Sequence, residues 1–353
     1  MRNRHKKYTI VWVLMCLLNC GCTDRVSESV LGFHTTVRPE VLTTCINPDL
    51  LGRPEAISVS DSMLVLLDFF DGQLYSSFDL NTGKRIMRFG TIGEGPKEFP
   101  IGTSGHFFDG RFTMFSRYPS KIGDMDPALG DTTYSSFGVA IPDKMMVSRI
   151  HRLSDSLLIA MGSYNEAYKY ILFDVNHGVV DSICDISGKD RNDLNRYHKF
   201  LAEQGNIAVS PDLKRIVSTT NYSDNIDFLN FKDGKLQICK LNHERDARLK
   251  PEMFGTEAFQ MIPDRNEPMG FLNVCANNEN VFALYNPCEF AVTDYSSPYI
   301  LVYDWSGNKI IAIDTQRNVI DLAANSHDLY LLTINDEGDY AIERINLKNL
   351  DLQ

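Results

Sequence analysis

The sequence predicts an all-β protein, a six-bladed β-propeller of four-stranded antiparallel blades that follows an N-terminal lipoprotein signal peptide. Three observations predict it: a strand-and-turn unit recurs six times, a glycine-turn hairpin follows most copies, and the one long apolar run stands at the N-terminus. Six such units at periods of roughly 40 to 70 residues are typical of a propeller. A β-sandwich or barrel of this size would not repeat its turn chemistry so regularly.

The repeated unit is a polar turn followed by an apolar strand. Its six copies read SDSMLVLLDFF, FDGRFTMFSR, LSDSLLIAMGSY, SPDLKRIVSTTNY, NNENVFALYNP and NSHDLYLLTIN. Asp, Asn, Ser and Pro make local hydrogen bonds in turns, and the β-branched, leucine and aromatic residues that follow suit a buried strand. We therefore assign one copy to the second strand of each blade.

A hairpin with a turn glycine follows the repeated strand. Four of these glycines are Gly83, Gly178, Gly234 and Gly307. Glycine is favoured there because such turns need positive φ. Gly130, in PALGDTTYSSF, serves the second copy, whereas the sixth copy, RINLKNLDLQ, has no glycine and ends the chain. We expect the segment TTVRPEVLTTC, from Thr35, to supply the strand that closes the ring.

The N-terminal segment MRNRHKKYTIVWVLMCLLNCGC has the pattern of a secretory signal peptide. A basic start precedes an apolar run from about Tyr8 to Leu18, which is too short for a lasting bilayer span. The run ends at cysteines, and in a bacterial lipoprotein signal such a cysteine follows small residues and is lipidated. We expect lipidation at Cys22, which follows Gly21. Cys20 is the alternative site, and a secreted protein with unmodified cysteines is the alternative interpretation.

The chain is accordingly divided into a signal peptide (1–21), a tether (22–34) and one propeller domain (35–353). No other apolar stretch approaches the roughly 18 residues that span a bilayer, so we expect membrane contact through the N-terminal lipid only. We expect a monomer in the bacterial cell envelope, anchored at the outer membrane. The segment CTDRVSES carries too few acidic residues to distinguish its periplasmic side from the cell surface.

Charge and cysteine content exclude several classes of protein. The net charge is −11, and loss of the four basic residues of the signal peptide leaves −15. Such an acidic chain is not expected to bind nucleic acid or an anionic membrane surface. Five cysteines remain beyond Cys22, an odd number without tight spacing, which fits neither a disulfide framework nor a zinc site. One disulfide, Cys275 with Cys288, stays open.

The segment GTIGEGPKEFP (residues 90–100) is glycine-rich but lacks the spacing and the following helix of a phosphate-binding loop. We interpret it as a connector between blades. It also resembles a loop of the TolB-like six-bladed propeller lipoproteins of Bacteroides-type bacteria, although Lys97 stands where members more often have glycine. The matching residues are Gly93, Gly95, Pro96, Glu98 and Phe99. The resemblance implies a propeller-type envelope lipoprotein and carries no established reaction.

Candidate binding residues lie in loops between blades and between second and third strands, which open on one face of a propeller. The longest segments are of these kinds: 90–103, 187–204, 242–269, SRYPSKIGDMDP, GSYNEAY, TNYSDN and NPCEFAVTDYSSPY. Function concentrates in such loops, so we place the site on this face and at the channel mouth beneath it. The candidate residues are Arg117, Tyr118, Tyr164, Asn165, Asn221, Tyr222, Asn286 and Glu289. These residue types suit sugars or peptides, although they also pack loops against each other.

Catalytic and metal-binding motifs are sparse. There is no G-x-S-x-G or HExxH motif. Asp124, Asp126 and Asp131 lie close together in GDMDPALGD, which suggests calcium, but the segment lacks the regular EF-hand spacing and its distal glutamate. A solvated acidic turn explains it equally.

Three functions remain open at this stage. The first is a binding or scaffolding module for a peptide, protein or glycan. The second is a propeller hydrolase or lactonase with a metal in the central channel, and the third is a structural element of a larger envelope complex. Three or four Asp, Glu, Asn or His side chains within about 2.5 Å of one point would favour the enzyme. A broad aromatic groove would favour binding.

Overall fold

Strands dominate the fold from its first described residues onward. The computed structural model describes residues 30–40, 42–117, 120–129, 135–139, 141, 145–186, 196–254, 258–292, 295–350 and 352. The chain enters through two short strands, β1 (Thr36–Val37) and β2 (Thr43–Thr44). No helix in the described part of the chain is long and apolar enough to cross a membrane.

The first three blades are antiparallel sheets whose strands follow one another in chain order. Blade 1 contains β3 (Pro54–Val59), β4 (Met63–Phe70), β5 (Gln73–Asp79) and β6 (Arg85–Thr91). Blade 2 contains β7 (Ser104–Phe108), β8 (Arg111–Arg117), β9 (Ser120–Met125) and β10 (Ser135–Gly138). Blade 3 contains β11 (Met145–Arg152), β12 (Leu157–Tyr164), β13 (Tyr168–Asp174) and β14 (Gly178–Asp185).

Blades 4 to 6 carry two insertions and one shared strand. Helix α1 (Arg196–Glu203) precedes blade 4, which contains β15 (Gly205–Val209), β16 (Arg215–Thr220), β17 (Asn225–Lys232) and β18 (Lys235–His243). A hairpin of β19 (Leu249–Phe254) and β20 (Ala258–Pro263) separates it from blade 5. Blade 5 contains β21 (Pro268–Ala276), β22 (Asn280–Glu289), β23 (Ser297–Asp304) and the first half of β24 (Lys309–Ala324). Blade 6 contains the second half of β24, then β25 (Asp328–Ile334), β26 (Tyr340–Asn346) and β2.

The N-terminal strand closes the ring. Thr43 pairs with Arg344 of β26, so β2 is the outer strand of blade 6, and the prediction for the segment from Thr35 is confirmed. Strand β1 adds to the outer edge of blade 5, in parallel with β24. The residues just before it also pack on the propeller, because Phe33 is buried with its ring 5.2 Å from that of Tyr303.

The hydrophobic core lies between neighbouring blades. Six apolar clusters of the described residues each contain side chains of two adjacent blades, including one cluster that joins blade 6 to blade 1. Between blades 1 and 2, the rings of Tyr75, Phe89 and Phe112 have centroids 5.0 to 5.7 Å apart. The predicted all-β, six-bladed architecture is confirmed.

Local predictions fare unevenly. The four turn glycines predicted from the hairpins all have positive φ, whereas Gly130 lies outside the described residues. The interpretation of SRYPSKIGDMDP as a loop is wrong, because β9 occupies its centre. Two charged residues in it, Lys121 and Asp124, are buried and form polar contacts within the protein. The polar residues of this segment therefore did not indicate an exposed loop. The five cysteines of the described part are all free, including Cys275 and Cys288.

Candidate functional site

One face of the propeller carries the longer connections. The inner strand of each blade starts at this face, and α1, strands β19 and β20, and residues 290–292 and 295–296 all lie on it. The connections on the other face are mostly short turns, such as those at 60–62, 153–156 and 233–234. We refer to the elaborated side as the loop face. Residues near the start of an inner strand therefore lie at the channel mouth on this face.

Polar side chains of the inner strands link all six blades around the channel. We call this set the channel ring, with one member from each blade in order: Ser58, His106, Arg149, Asn206, Asn273 and Asp321. Inner strands line the central channel of a propeller, so these side chains surround it. The ring is built from contacts between neighbouring strands rather than within one strand.

Asp321 joins blades 5, 6 and 1. Its carboxylate accepts hydrogen bonds from the backbone N–H of Ile57, at 2.8 Å, and from the side-chain amide of Asn273. Burial raises the pKa of Asp321 to about 6, although these hydrogen bonds and the charge of Arg149 act in the opposite direction. Further round the ring, the hydroxyl of Ser58 donates to the backbone carbonyl of Gly105 in blade 2.

Blades 3, 4 and 5 are joined through Arg149 and Asn206. The Nε of Arg149 donates to Oδ1 of Asn206 at 3.1 Å. The side-chain amide of Asn206 donates in turn to the carbonyl of Leu272, at 2.7 Å, and to Oδ1 of Asn221, at 3.4 Å. Because Asn221 lies at the end of β16, on the loop face, this chain of contacts connects the channel to the surface.

Two stacked imidazoles link blades 2 and 3 deeper in the channel. The rings of His106 and His151 have centroids 3.8 Å apart, and Nε2 of His106 accepts from the backbone N–H of Arg152. Burial lowers the pKa of His151 to about 4, and burial together with the charges of His151 and Arg152 lowers the pKa of His106 well below its usual range. Both imidazoles are therefore neutral at pH 7.

Positive charge collects at the channel mouth. Arg149 and Arg117 both donate to the carbonyl of Ser148, and Arg117 is exposed at the end of β8. Burial and the neighbouring charge of Arg117 lower the pKa of Arg149, and Asp321 across the channel acts in the opposite direction. The mouth therefore holds two guanidinium groups, and one carboxyl group faces them from across the channel.

Three aromatic side chains form a shelf on the loop face. We call Tyr222, Phe290 and Tyr295 the aromatic shelf. The ring centroids of Tyr222 and Phe290 are 5.3 Å apart, those of Phe290 and Tyr295 are 5.9 Å apart, and the two hydroxyls lie at 3.3 Å. Tyr222 has a φ of 57°, which tyrosine rarely adopts, and it directly follows Asn221 of the channel contacts. The shelf thus begins where the polar chain from the channel ends.

The loop that carries Tyr222 is held from below. Arg245 donates to both carboxylate oxygens of Asp224, at 2.9 Å, and to the carbonyls of Tyr222 and Pro268. Bidentate arginine–carboxylate pairs fix geometry as well as contributing energy. The hydroxyl of Tyr285 donates to the same carboxylate at 2.9 Å. The shelf is therefore presented by a rigid loop.

Comparison with known proteins identifies the family. The TolB-like 6-blade propeller-like family matches residues 37–326, most of the chain. The chain belongs to this family. No curated protein matches the sequence.

Three solved structures are similar to this TolB-like propeller at low sequence identity. The β-propeller domain of Cps50 (Swd1) from Myceliophteria thermophila is 10% identical with a TM-score of 0.45, over 82% of each chain. Raptor from Chaetomium thermophilum is 13% identical with a TM-score of 0.47, over 89% of this chain and 29% of that one. The gluconolactonase XC5397 from Xanthomonas campestris is 11% identical with a TM-score of 0.49, over 86% and 89%.

The structure brings only some of the predicted loop-face residues together. Arg117, Asn221 and Tyr222 belong to the connected site at the mouth. Asn286 is instead buried, where it bonds the carbonyl of Ser296 within its own loop. Tyr164 packs on the core between blades 2 and 3, and Asn165 is exposed in a tight turn. Glu289 is exposed at the end of β22, and Tyr118 lies outside the described residues.

Two of the three candidate calcium ligands, Asp124 and Asp126, lie in the described part of the chain, and each has a partner within the protein. Asp124 is a buried strand residue that accepts from Thr113 and pairs with Arg152 of blade 3. Asp126 accepts from the backbone N–H of Ala128 in a turn, and Asp131 lies outside the described residues. The Asp124 carboxylate is thus paired with the guanidinium of Arg152, and calcium binding by these three aspartates stays a prediction.

The glycine-rich segment of this TolB-like propeller forms a closed connector. The Glu98 carboxylate accepts from the backbone N–H of Gly95 at 2.9 Å, and Phe99 is fully buried between blades 1 and 2. A side chain at Gly93 would place its Cβ 2.0 Å from that carboxylate. Lys121 of β9 donates to the carbonyl of Gly95 from the other side. The residues after Gly93, including Pro96, therefore pass from one blade to the next in a fixed path.

Sequence reasoning missed the channel ring, because its members are single residues on six separate strands. A signal does exist in the repeats. Each inner strand carries a polar residue between apolar or small ones, as in AISV, GHFF, SRIH, GNIA, LNVC and IDLA. Superposing the six repeats by their inner strands would have brought these positions into register. No local motif marks them.

A surface groove of about 730 Å³ lies elsewhere on the loop face, between the β25–β26 hairpin and residues 48–52. Its charged lining is bonded internally, since Glu343 accepts from Arg317 and from Thr333, each at 3.3 Å. No member of the channel ring or the aromatic shelf lines it. We therefore place the candidate site at the channel mouth rather than in this groove.

A separate buried charge cluster lies between blades 3 and 4. Asp227 accepts from Lys169 at 2.7 Å and from Tyr170 and His243 at 2.6 Å each, and Glu203 of α1 is 3.5 Å from the same lysine. Burial alone would raise the pKa of Asp227, but the charge of Lys169 and the contact with His243 hold it well below its usual range. Apart from His243, whose ring is partly exposed, the members of the cluster are buried, and the contact with Glu203 fixes α1 on the blades.

Proposed function

We propose that this TolB-like propeller is a binding module of the bacterial cell envelope that holds a glycan or peptide ligand at the channel mouth. The observation that carries the proposal is the continuous path from the aromatic shelf through Asn221 and Asn206 to Arg149 in the channel. Aromatic faces beside a few fixed polar groups are the usual lining of ligand sites. Rigid loops of a propeller are suited to present them.

A metal-dependent hydrolase is less well supported. Within the described residues, no three His, Cys, Asp or Glu side chains are grouped so that they could hold a metal ion. The carboxylate of Asp321 in the channel is surrounded by donors from Ile57, Leu322 and Asn273 rather than by other acidic groups. The arrangement thus supports recognition through hydrogen bonds and stacking.

The test is a thermal-shift screen of the chain from Thr23 to Gln353 with glycan fragments, peptides and divalent metals. A ligand specific to the folded state stabilises it by about 2.7 kcal/mol at a hundredfold excess over its dissociation constant. We expect a ligand-induced shift that is lost in Tyr222→Ala and Tyr295→Ala. Phe70→Ala, which removes an exposed aromatic side chain from blade 1, serves as the control and should keep the shift.

Two results would count against the binding proposal. A shift with calcium or zinc that EDTA removes, and that the shelf variants keep, would favour the hydrolase. A glycan or peptide shift that both tyrosine variants retain would place the site elsewhere on the molecule. The second result would leave a binding function but remove it from the channel mouth.

We also propose that the protein is held in the envelope, at the outer membrane, as a lipid-anchored monomer. Support comes from the basic and apolar pattern of residues 1–21 and from the position of Cys22 after Gly21. Incorporation of labelled palmitate into the full chain is the measurement. Cys22→Ser should abolish labelling and Cys20→Ser should keep it; the reverse outcome would assign the lipid to Cys20.

A further inference from the structure

Two guanidinium groups at the channel mouth converge on one backbone oxygen. Nη1 of Arg149 is 3.0 Å from the carbonyl oxygen of Ser148, and Nη2 of Arg117 is 3.5 Å from the same atom. The two nitrogens therefore lie within 6.5 Å of each other. Like charges so close are unfavourable unless an anion lies between or beside them.

No carboxylate of the described residues forms an ion pair with Arg117 or Arg149. This distinguishes them from two other arginines of the propeller. Arg152 pairs with Asp124, and Arg245 pairs with Asp224 through both oxygens. Both of those guanidiniums are therefore neutralised inside the protein. The pair at the mouth is not.

The nearest acidic influence on the pair does not neutralise it. Asp321 stands on blade 6, across the channel from Arg149 on blade 3. Its two oxygens already accept hydrogen bonds from Ile57, Leu322 and Asn273. It therefore balances charge at a distance while leaving the donors of the arginines free to bind another group.

Free donors remain on both arginines. Nη2 of Arg149, and Nε and Nη1 of Arg117, have no hydrogen-bond partner among the described residues. The planar fork of arginine matches the two oxygens of a carboxylate, and such charged hydrogen bonds are the strong ones. The chemistry of the pair is therefore that of a carboxylate receptor.

We infer that the channel mouth binds an acidic oligosaccharide, a uronic-acid glycan, and that one of its carboxylates lies between Arg117 and Arg149. The inference rests on the binding function proposed above and names its ligand class. Sugar is favoured because amides and aromatic faces surround the same mouth. The side chain of Asn221, half-buried at the mouth, can bond hydroxyl groups, and the shelf at Tyr222 can stack on a pyranose ring.

The experiment measures binding by isothermal titration calorimetry with the chain from Thr23 to Gln353. The probes are trimers of galacturonate and mannuronate, a glucuronate-containing tetrasaccharide, the methyl ester of trigalacturonate and an acidic tripeptide. We expect at least one uronate probe to bind and the methyl ester to bind at least tenfold more weakly when that probe is trigalacturonate. Arg117→Gln and Arg149→Gln should each weaken the uronate by about tenfold or more.

Arg53→Gln is the matched control, because it removes an exposed positive charge whose only described ion pair is with Glu55. Its affinity should stay within about twofold of the unchanged protein. Arg117 is exposed, so its replacement tests the inference even where Arg149→Gln fails to fold. A circular-dichroism melt of each variant identifies such a failure.

Three outcomes would overturn the inference. They are the absence of binding by every uronate probe, equal binding of an acidic sugar and its uncharged ester, and unchanged affinity in Arg117→Gln with a folded protein. Tight binding of the tripeptide alone would assign the arginines to a peptide carboxylate instead. If a neutral sugar binds and Tyr222→Ala abolishes its binding, the proposed binding function is kept but the acidic ligand class is rejected. Failure of this inference is therefore distinguishable from failure of the proposed function.

Discussion

Gly270 holds the channel mouth together where blades 4 and 5 meet, and replacing it with alanine should strongly destabilise the protein. It forms an isolated antiparallel bridge with Asn221, the residue just before Tyr222 of the aromatic shelf. Its φ is +80°, and a Cβ at this position would lie 2.2 Å from the carbonyl oxygen of Ser223 and 2.7 Å from its nitrogen. Both neighbours are backbone atoms, so no side chain can rotate away.

The magnitude has two parts. A left-handed φ costs a residue with a Cβ about 1 to 2 kcal/mol. The overlap with Ser223 forces the backbone apart by about 1 Å, and overpacking of this kind costs about 1 to 3 kcal/mol more. Gly270→Ala should therefore lower the free energy of unfolding by about 2 to 5 kcal/mol, and it should also displace the loop that carries Tyr222.

Gly178 provides a control that separates the two parts. It has nearly the same φ, +82°, but a Cβ there would meet no atom within 4 Å. Gly178→Ala should therefore cost only the backbone part, about 1 to 2 kcal/mol. Urea denaturation of both variants and the unchanged protein, followed by tryptophan fluorescence, gives the comparison. Equal losses for the two variants, or a smaller loss for Gly270→Ala, would refute the steric reasoning.

Three further predictions concern buried groups. Lys169→Met leaves the Asp227 carboxylate buried without its cation, so we expect the free energy of unfolding to fall by about 3 to 5 kcal/mol in urea denaturation at pH 8. The loss should shrink at pH 5 because the carboxyl group becomes protonated, and an equal loss at both pH values would contradict this. Phe33→Ala should lower the free energy of unfolding by about 3 to 5 kcal/mol, and His34→Ala, at an exposed position, by less than 1 kcal/mol. Similar small losses for both variants would mean that the segment around Phe33 does not pack on the propeller in solution. Because the pKa of Asp321 is raised, the stabilisation by its protonated form is fully present below about pH 4 and is lost as the pH rises through about 6. The free energy of unfolding of Asp321→Asn should therefore increase by about 3 kcal/mol relative to that of the unchanged protein between pH 4 and 7.5. A constant difference between the two proteins over this range would exclude the titration.

The architecture was predictable because the propeller repeats its local chemistry. Turn residues before an apolar strand recur six times, and every copy falls on the second strand of a blade. The closing strand was predictable as well, because propeller rings usually complete the last blade with a strand from the N-terminal end, and β2 pairs with β26 in this way. Strand β9 was missed because Lys121 and Asp124 suggested an exposed loop, whereas each finds its partner on a distant part of the chain.

The site was only partly predictable. Asn221 and Tyr222 were identified from the loop in which they stand, and the structure joins them to the channel. Arg149 was not identified, because nothing next to it in the sequence distinguishes it from an ordinary strand residue. Its role depends on Asn206 and Asp321, which belong to other blades. Contacts between blades are determined by how the ring closes and not by the local sequence pattern.

The pairing of β2 with β26 has a consequence for how the protein is made. The register joins Thr43 to Arg344, so two segments that are far apart in the chain must meet before the ring closes. Contacts of such sequence separation form slowly, because a long loop must close before they contribute. A chain clipped or stalled before residue 340 keeps an unpaired sheet edge and an uncovered blade surface, which makes it a substrate for proteases and a nucleus for aggregation. The pairing of β26 with β2 thus decides whether the ring can close.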